Sequence, residues 1–538
     1  MPFPTKVQLI QRKASEQWYI NFPSALAQAM DFVKGETVEW SVHRQGFTCV
    51  FAPPGRASFP SPFKKNSALL LTAFQQLLGE ATADLPDRMR SRLARHVLAQ
   101  IVCLGTHSVT SLLSSSGRLA QDWTADYRMY SRDRIEPDAL FASVRQNLLD
   151  HLPQDSPAVV ALDDTRIRKS GRKVSGAKYT RDPLGPPFQV NLIWAQRFLQ
   201  LSMASAADGQ ARMVPIGWRH APHPPKPTKN SSEQERQRYR EDSHKQSLGV
   251  VAGNEMARLR SWMDDHSQAQ RPLWTIVDGG YTNRTVLKNL PSRTVLVGRI
   301  RSDAKLYFLP ESTTSKGRRR VYGEQAPTPE QLRTDESIPW QTVAVRIGGE
   351  QREIRIKTLG PLRWRPAGKD HTLQLIVIAP LRYRVTTEGK HLYRSPGFLI
   401  ATDPVASPQE IVQRYIYRWD IECNFRDEKT LLGVGEAQVR DPHSVENVTG
   451  VAVAAYALLL ASSHNLDPSR DFTLPNPRWN RRHYSRATTR QLIQQLRQDL
   501  WGQALHFSGF VSAKTQPQNA ENSIANPYHA VIHASRFG

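Results

Sequence analysis

The first fifty residues alternate short apolar and polar runs in the manner of paired strands. VQLIQRK, QWYINF, TVEWSV and FTCVF are strand candidates, and SALAQAMDF between them has a helical pattern. Glycine-containing turns, such as Gln45-Gly46, separate the last two strands. We therefore predict a small β-rich domain over residues 1–55. A hairpin unit with only a packing role is the alternative.

Apolar residues then recur at helical spacing, after a linker rich in proline, glycine and serine. LLLTAFQQLLG, RMRSRLARHVLAQIVCLG and ALFASVRQNLLDHL predict a helical domain over 62–152. Its basic residues Arg88, Arg90, Arg92 and Arg95 are candidates for contact with DNA. The competing interpretation is a solvated helix face.

The pattern changes again after residue 152. VVALDD, FQVNLIWA, LQLSMASA and MVPIGW predict strands, and helices then alternate with the strands LWTIVD and TVLVGRI. Three neighbouring strands followed by alternating helices and strands indicate an α/β multidomain protein with an RNase H-like mixed sheet. We assign its first part to residues 153–300.

Alternating strands with basic turns fill residues 301–396, which we predict to be a β-rich insertion into that core. The strand GFLIAT and a long helix mark the second part of the core, at 397–470. A C-terminal helical region, with TTRQLIQQLRQDLW as its clearest helix, covers 471–538.

The charge balance narrows the class of partner. The 538 residues carry a net charge of +23 with an isoelectric point near 10.1. A positive surface of this size attracts polyanions, of which nucleic acid is the commonest. A generally basic protein without a polyanionic partner is the alternative.

Several other classes are disfavoured by the sequence. No run of about 18 apolar residues is present, so we expect no membrane span. The start of the chain lacks the pattern of a secretory signal. Cys49, Cys103 and Cys423 form no CxxC pair, which argues against a disulfide framework and a cysteine zinc site. We expect a cytoplasmic protein.

Three carboxylates stand where phosphodiester chemistry would need them. Asp164 ends VVALDD, Asp278 ends LWTIVD, and Glu422 lies on the long helix. Carboxylates from different elements can hold two Mg²⁺ or Mn²⁺ ions about 4 Å apart. An Asp after a strand is also a common turn former. Asp163 competes with Asp164, because side chains alternate between the faces of a strand.

Four polar residues share one face of that helix. At about 100° per residue, Tyr415, Arg418, Glu422 and Lys429 fall within an arc of about 60°. Arg suits bidentate phosphate contact, Lys a point-charge contact and Tyr a hydrogen bond to phosphate. A salt-bridged surface helix is the alternative, since Arg418 and Glu422 are an i,i+4 pair.

These residues resemble the Y-R-E-K signature of bacterial insertion-sequence transposases, which are DDE enzymes on an RNase H-like fold. Asp164-Thr165 is similar to the first-aspartate motif of that group, and Asp278 in VDGGYTN is similar to the second. The resemblance implies that Asp164, Asp278 and Glu422 hold two Mg²⁺ ions, with Mn²⁺ as a substitute. The start of the chain resembles the swapped-hairpin domains of AbrB and MazE proteins, and this resemblance implies that residues 1–55 serve DNA binding or dimerisation.

The resemblance also implies a tryptophan in the insertion that stacks on a flipped DNA base. Trp364 in PLRWRP is our candidate and Trp340 the runner-up, although either can be a core residue. The run Lys316-Gly317-Arg318-Arg319-Arg320 predicts a basic loop for contact with the DNA backbone or minor groove, or a solvated loop.

We therefore expect a DNA transposase that cuts transposon ends and joins the freed 3′-OH to target DNA by a cut-and-paste route. Its partner would be double-stranded DNA, bound by a homodimer in the bacterial cytoplasm at the nucleoid, with no membrane. Two alternatives remain open: an RNase H-like nuclease without strand transfer, and a catalytically silent DNA-binding regulator.

Overall fold

Two antiparallel hairpins form the described part of the N-terminal unit, Met1–Asn66, in the computed structural model of the chain. The first joins β1 (Val7–Arg12) to β2 (Ser15–Ile20), and the second joins β3 (Glu39–His43) to β4 (Gly46–Val50). The four predicted strands are confirmed. The predicted helix at SALAQAMDF lies outside the described residues, and the likeness to AbrB and MazE domains stays a prediction.

The structure describes these four strands in their backbone, and it describes residues 69–508 with several gaps. The gaps are residues 119, 184, 187, 206–210, 312–318, 385–388, 465, 467–470 and 473–485, and side chains are described as far as residue 501.

Helices account for the segment that precedes the main sheet. They are α1 (Leu69–Ala81), α2 (Asp87–Val102), α3 (Val109–Ser115), α4 (Thr124–Ser131) and α5 (Pro137–His151). Each helix buries its apolar face, for example Phe74 and Leu77 in α1 and Phe141 and Val144 in α5. These helices belong to the same unit, Ser67–Gly538, as the rest of the chain.

The next elements include the predicted strands and helices, together with one strand and one helix that were not predicted. They are β5 (Ala158–Arg168), β6 (Lys178–Arg181), β7 (Leu192–Ala204), β8 (Met213–His220), α6 (Glu233–Lys245), α7 (Leu248–Asp265), β9 (Leu273–Val277), α8 (Arg284–Lys288) and β10 (Thr294–Arg299). The elements that were not predicted are β6 and α6.

One strand was predicted as two. FQVNLIWA and LQLSMASA are largely a single strand, β7, because the polar residues between their apolar runs do not make a turn. Gln196 and Arg197 are buried within β7 and donate to backbone carbonyls, namely those of Ser175 and Ala221. Side chains that satisfy carbonyls in this way keep the strand continuous.

The remaining elements complete the chain. They are β11 (Leu306–Phe308), α9 (Pro329–Thr334), β12 (Gln341–Ile347), β13 (Glu350–Trp364), β14 (Leu373–Ile378), β15 (Arg382–Tyr383), β16 (Leu392–Tyr393), β17 (Gly397–Ala401), α10 (Pro408–Tyr417), α11 (Trp419–Thr430), α12 (Pro442–Ser462) and α13 (Thr489–Ser508).

A mixed sheet of eleven strands organises this unit. Strand β5 lies between β7, its antiparallel neighbour, and β9, its parallel neighbour. Strand β8 pairs with β7, and β10 runs parallel to β9. Three antiparallel strands followed by two parallel ones are consistent with the RNase H-like core of a mixed α/β protein.

The strands predicted as an insertion continue the same sheet. Strand β14 pairs antiparallel with β17, and β17 pairs with β10, so the sheet runs from β10 through β17 and β14 to β13. The residues at 301–396 therefore extend the sheet at its β10 side, and the predicted domain boundaries there stay predictions.

Helix α12 is the most buried helix of the unit. It is long and apolar enough to cross a membrane, but 94% of its apolar window is buried inside the protein. No other helix in the described residues meets the same criteria. Helices α2, α4 and α5 and strand β8 all pack on it. The length and hydropathy of α12 are thus those of a core helix.

We predict opposite stability effects for two glycine-to-alanine changes. A Cβ at Gly450 in α12 would lie 2.8 Å from Pro137 Cβ, and the rigid ring of that proline leaves no room. Gly450→Ala should therefore lower the free energy of unfolding by about 1–3 kcal/mol. At Gly79 in α1 an added Cβ meets nothing within 4 Å, so Gly79→Ala should raise it by about 0.5–1 kcal/mol. Urea denaturation measures both variants. Equal changes in the free energy of unfolding would contradict the close contact at Gly450 and the open space at Gly79.

Candidate active site

Two aspartates lie side by side on neighbouring interior strands of the sheet, at the point where β9 ends. In the parallel pair β5 and β9, Leu162 is in register with Val277. Asp163 and Asp278 each come directly after these paired residues. The apolar runs VVAL and LWTIV are buried, and an aspartate follows each of them directly. Register therefore brings the two carboxylates together.

An arginine joins Asp163 to Glu422, the glutamate of α11. Arg418 donates from Nη1 to Asp163 Oδ2 at 3.1 Å and from Nη2 to Glu422 Oε1 at 3.0 Å. The Asp163 carboxylate also accepts the backbone N–H of Asp164. Glu422 is thereby held beside Asp163, on the face of β5 that α11 covers.

Asp164 has different partners. Its carboxylate accepts a hydrogen bond from the Tyr281 hydroxyl at 2.9 Å and one from Arg166 Nη1 at 2.8 Å. Thr165, the next residue, again shares the face of Asp163, because its hydroxyl accepts from Lys429 Nζ at 2.6 Å. The structure thus places Asp163 against the Glu422 helix and ties Asp164 to the loop after Asp278.

That loop is wound around Asp278. The Asp278 side chain accepts the N–H of Gly280 at 2.8 Å, and its backbone carbonyl accepts the Thr282 hydroxyl at 2.9 Å. Asn283 then caps α8 by accepting two backbone N–H groups. Tyr281, in the middle of the loop, reaches back to Asp164, so Asp164 fixes the loop that carries Asp278.

The site concentrates negative charge in a partly desolvated place. Burial, and then the nearby Asp278 carboxylate, raise the pKa of Asp163 to about 7, although Arg418 opposes this shift. Burial and the carboxylate of Asp164 raise the pKa of Tyr281, which keeps its hydroxyl a donor. A single guanidinium only partly offsets the three carboxylates, so the site favours further positive charge.

The four polar residues predicted to share one helix face, from Tyr415 to Lys429, lie along two helices separated by a short break. Helices α10 and α11 meet at Arg418, whose N–H donates to the Tyr415 carbonyl at 3.2 Å in a tight turn. Arg418 keeps helical angles, φ −52° and ψ −32°, so the four residues are not rotated out of line. Its guanidinium lies 5.9 Å from the Tyr415 ring. The prediction of one uninterrupted helix was wrong, and Arg418, Glu422 and Lys429 still face β5.

The other predicted DNA contacts are spread more widely. Trp364 is half-buried and lines a cavity of about 890 Å³ together with Gly279, Thr282 and Arg299, next to the Asp278 loop. Trp340 is instead covered by Lys357, whose Nζ lies 4.8 Å from the ring centroid. In the predicted basic loop Arg319 and Arg320 are exposed, and Lys316 and Arg318 lie outside the described residues.

Sequence reasoning did not single out Tyr281 or Arg166. Tyr281 lies three residues after Asp278 in VDGGYTN, and Arg166 lies two residues after Asp164 in DDTRIR. Both spacings are visible in the sequence, but nothing in it shows that the loop folds back onto β5. Contact between Tyr281 and Asp164 is a property of the tertiary structure.

Two family models match the chain in this region. The model described as DDE superfamily endonuclease matches residues 75–353, just over half of the chain. This chain belongs to the DDE superfamily endonucleases. A second model, the transposase DDE domain, matches residues 249–458, which include Asp278 and Glu422. No match was found among curated proteins.

Membership of the DDE superfamily makes the protein a DDE transposase enzyme with DNA as its substrate. DDE domains generally use divalent metal ions, and carboxylate oxygens are the ligands that such hard cations prefer. Among the described residues, no three His, Cys, Asp or Glu side chains form a group ready to hold a metal ion. The donor types and the raised pKa of Asp163 nevertheless suit a cation, and Arg418 occupies the gap between Asp163 and Glu422.

Glu428 gives the site region a pH dependence that can be measured. It lies on α11, is 1% exposed, and its Oε1 atom has no hydrogen-bond partner in the described structure. Burial raises its pKa from 4.5 to about 8, although the nearby Gln200 and Lys429 side chains lower it. Between these two values the folded protein holds a proton that the unfolded chain has released. The free energy of unfolding therefore falls as pH rises through this window.

We predict that Glu428→Gln removes this fall in the free energy of unfolding with rising pH. Between about pH 5.5 and pH 8, the wild type should lose at least about 1 kcal/mol of unfolding free energy relative to the variant. Urea denaturation at several pH values measures the difference. Glu241→Gln, an exposed change on α6, serves as the control and should follow the wild type. Parallel pH profiles for the wild type and Glu428→Gln would contradict the assignment.

Proposed function

We propose that the protein is a cut-and-paste DNA transposase of the Y-R-E-K group of insertion-sequence enzymes. The observation that carries this proposal is the Arg418 bridge between Asp163 of β5 and Glu422 of α11. It supports an active site in which the stripe Tyr415, Arg418, Glu422 and Lys429 faces the paired aspartates. A catalytically silent regulator would not need three carboxylates assembled in a strongly basic protein.

We propose Asp163, Asp278 and Glu422 as the catalytic carboxylates and as the residues that would hold two Mg²⁺ ions, with Mn²⁺ as a substitute. Bound divalent ions supply Lewis-acid stabilisation of the phosphate and a more acidic water. Asp164, which sequence reasoning favoured, remains the alternative first carboxylate. Its bonds to Tyr281 and Arg166 support a positioning role instead.

The positively charged side chains have roles on the DNA. Once the carboxylates hold cations, the Arg418 guanidinium is free to bind the phosphates that flank the scissile bond, with Lys429 further along the helix and Tyr415 before it. In hydrolysis, water attacks the phosphorus, the P–O3′ bond breaks, and the 3′-oxygen takes up a proton. The freed 3′-OH then attacks a phosphodiester of target DNA and displaces another 3′-oxygen.

Other parts of the chain complete the proposal. Trp364, beside the Asp278 loop, would stack on an unpaired base, and Lys316, Arg318, Arg319 and Arg320 would contact the DNA backbone. The N-terminal hairpins would act as an AbrB-like domain in DNA binding or dimerisation. Cutting two transposon ends in one complex would require at least a homodimer. The protein would act in the bacterial cytoplasm.

We predict different losses for the two neighbouring aspartates. Asp163→Asn should lower DNA cleavage at least about 100-fold, because it removes a carboxylate that faces Asp278 and Glu422. Asp164→Asn should lower it by about tenfold or less, since it weakens only the hold on the Asp278 loop. Cleavage rates on a labelled duplex measure both variants. The reverse order would make Asp164 the first carboxylate.

The decisive assay uses Mg²⁺ and a duplex that carries the terminal repeats of the protein's own element. We expect cleavage at the element ends and joining to a target plasmid, with both lost in Glu422→Ala. Cleavage without joining would favour a nuclease. DNA binding with no cleavage by the wild type would overturn the catalytic proposal.

A further inference from the structure

Three arginine side chains gather around one buried carboxylate in the helical segment that precedes the main sheet. Arg92 and Arg95 lie one turn apart on α2, and Arg118 lies between α3 and α4. Asp126 on α4 is 1% exposed, and its Oδ1 atom lies 3.5 Å from Arg92 Nε. Asp126 also influences the pKa of Arg95, as do Arg118 and Arg92. Four ionised groups thus share one small region.

A neutral histidine leaves this cluster with excess positive charge. His96 Nε2 lies 3.0 Å from Asp126 Oδ1, and His96 Nδ1 lies 3.1 Å from the Tyr130 hydroxyl. Burial lowers the pKa of His96, so the ring is neutral at neutral pH, donating to Asp126 and accepting from Tyr130. Three guanidinium groups therefore face one carboxylate, an excess of two positive charges.

The arginines are poorly satisfied by the protein itself. The Nε atoms of Arg92, Arg95 and Arg118 are buried and have no hydrogen-bond partner among the described residues, and neither has Asp126 Oδ2. Burial, and then the charge of Arg118, lower the pKa of Arg95. Guanidinium groups held together against their own repulsion form a site suited to an anion.

Exposed aromatic rings lie on the same helix as Asp126. Trp123, which directly precedes α4, is 56% exposed, and Tyr127 is 38% exposed. Their rings meet edge to face at 5.2 Å. The Tyr127 hydroxyl is 2.8 Å from that of Thr110, which holds the tyrosine against α3. Solvent-facing aromatics on a segment that also carries the carboxylate of an arginine cluster are typical of nucleic-acid surfaces.

The neighbouring arginines of α2 behave differently. Arg90 donates to the backbone carbonyls of Thr82, Ala83 and Leu85, so it joins the start of α2 to the preceding turn. Of the four basic residues that the sequence offered as candidates for DNA contact, only Arg92 and Arg95 belong to the unsatisfied cluster. Helix α4 is also fixed to the core, because Asn447 of α12 donates to the Tyr130 carbonyl at 3.0 Å.

We propose that Arg92, Arg95 and Arg118 bind backbone phosphates of double-stranded DNA, with Trp123 and Tyr127 against the adjoining sugar and base edges. This proposal rests on the proposed function, which supplies DNA as the partner. An excess of two charges, with two exposed rings on the segment that carries Asp126, suits a continuous backbone better than one free phosphate. Because α2 and α4 pack on α12, the contact holds DNA at a fixed distance from the catalytic residues.

The test compares DNA affinity in two charge-matched double variants. Arg95→Ala/Arg118→Ala removes two cluster charges, and Arg236→Ala/Arg238→Ala removes two from α6 as the control. With a short terminal-repeat duplex in about 0.1 M salt, we expect the first variant to bind about tenfold more weakly or worse, and the control to bind within about threefold of wild type. The slope of log affinity against log salt should also fall by about two in the cluster variant.

Further measurements keep the outcomes separate. If the alanine variant does not fold, Arg95→Gln/Arg118→Gln replaces it, and circular dichroism checks the fold of each variant. Equal affinity and salt slope in the cluster variant and the control would overturn the proposal. If inorganic phosphate raises the melting temperature of the wild type alone while the cluster variant keeps its DNA affinity, the cluster is an anion pocket, which also overturns it. A wild type that cleaves DNA while the cluster variant binds normally leaves the proposed function intact, whereas a wild type that neither binds nor cleaves DNA refutes both.

Discussion

The site depends on the two hydrogen bonds by which Arg418 bridges the carboxylates of Asp163 and Glu422. This bridge joins the middle of β5 to the first turn of α11, two elements more than 200 residues apart in the chain. Without a cation between them, two carboxylates in a partly desolvated place would repel each other and separate. The same positive group that holds the site together is suited to a phosphate, so assembly of the site and binding of DNA use one side chain.

Burial of α12 gives this contact a rigid support. Trp218 of β8 donates to the Thr449 hydroxyl of α12, and Asn424 of α11 donates to the carbonyl of Met213 in β8. These buried polar contacts link α11, α12 and the sheet at fixed points, which apolar packing alone specifies less tightly. The helices before the sheet also pack on α12, so they share one core with the elements that carry the catalytic residues.

The partners of several side chains depend on the face of the strand or helix on which the residue lies. Asp163 and Asp164 are chemically identical neighbours, yet one meets Arg418 and the other meets Tyr281, because β5 turns alternate side chains to opposite sides. On α2, Arg90 satisfies backbone carbonyls while Arg92 and Arg95 turn toward Asp126. Lys429 reaches Thr165, two residues along the strand from Asp163.

The sequence by itself determined the mixed α/β class, most of the strands and helices, the acidic strand ends and the polar stripe at 415–429, because these depend on local periodicity and on where apolar runs stop. It also indicated the DDE family through Tyr415, Arg418, Glu422 and Lys429. Only the tertiary structure decided that Asp163 faces the glutamate, that the β-rich segment at 301–396 extends the main sheet, and that Arg92, Arg95 and Arg118 converge. Those features depend on strand register and on contacts between distant segments, which no local pattern encodes.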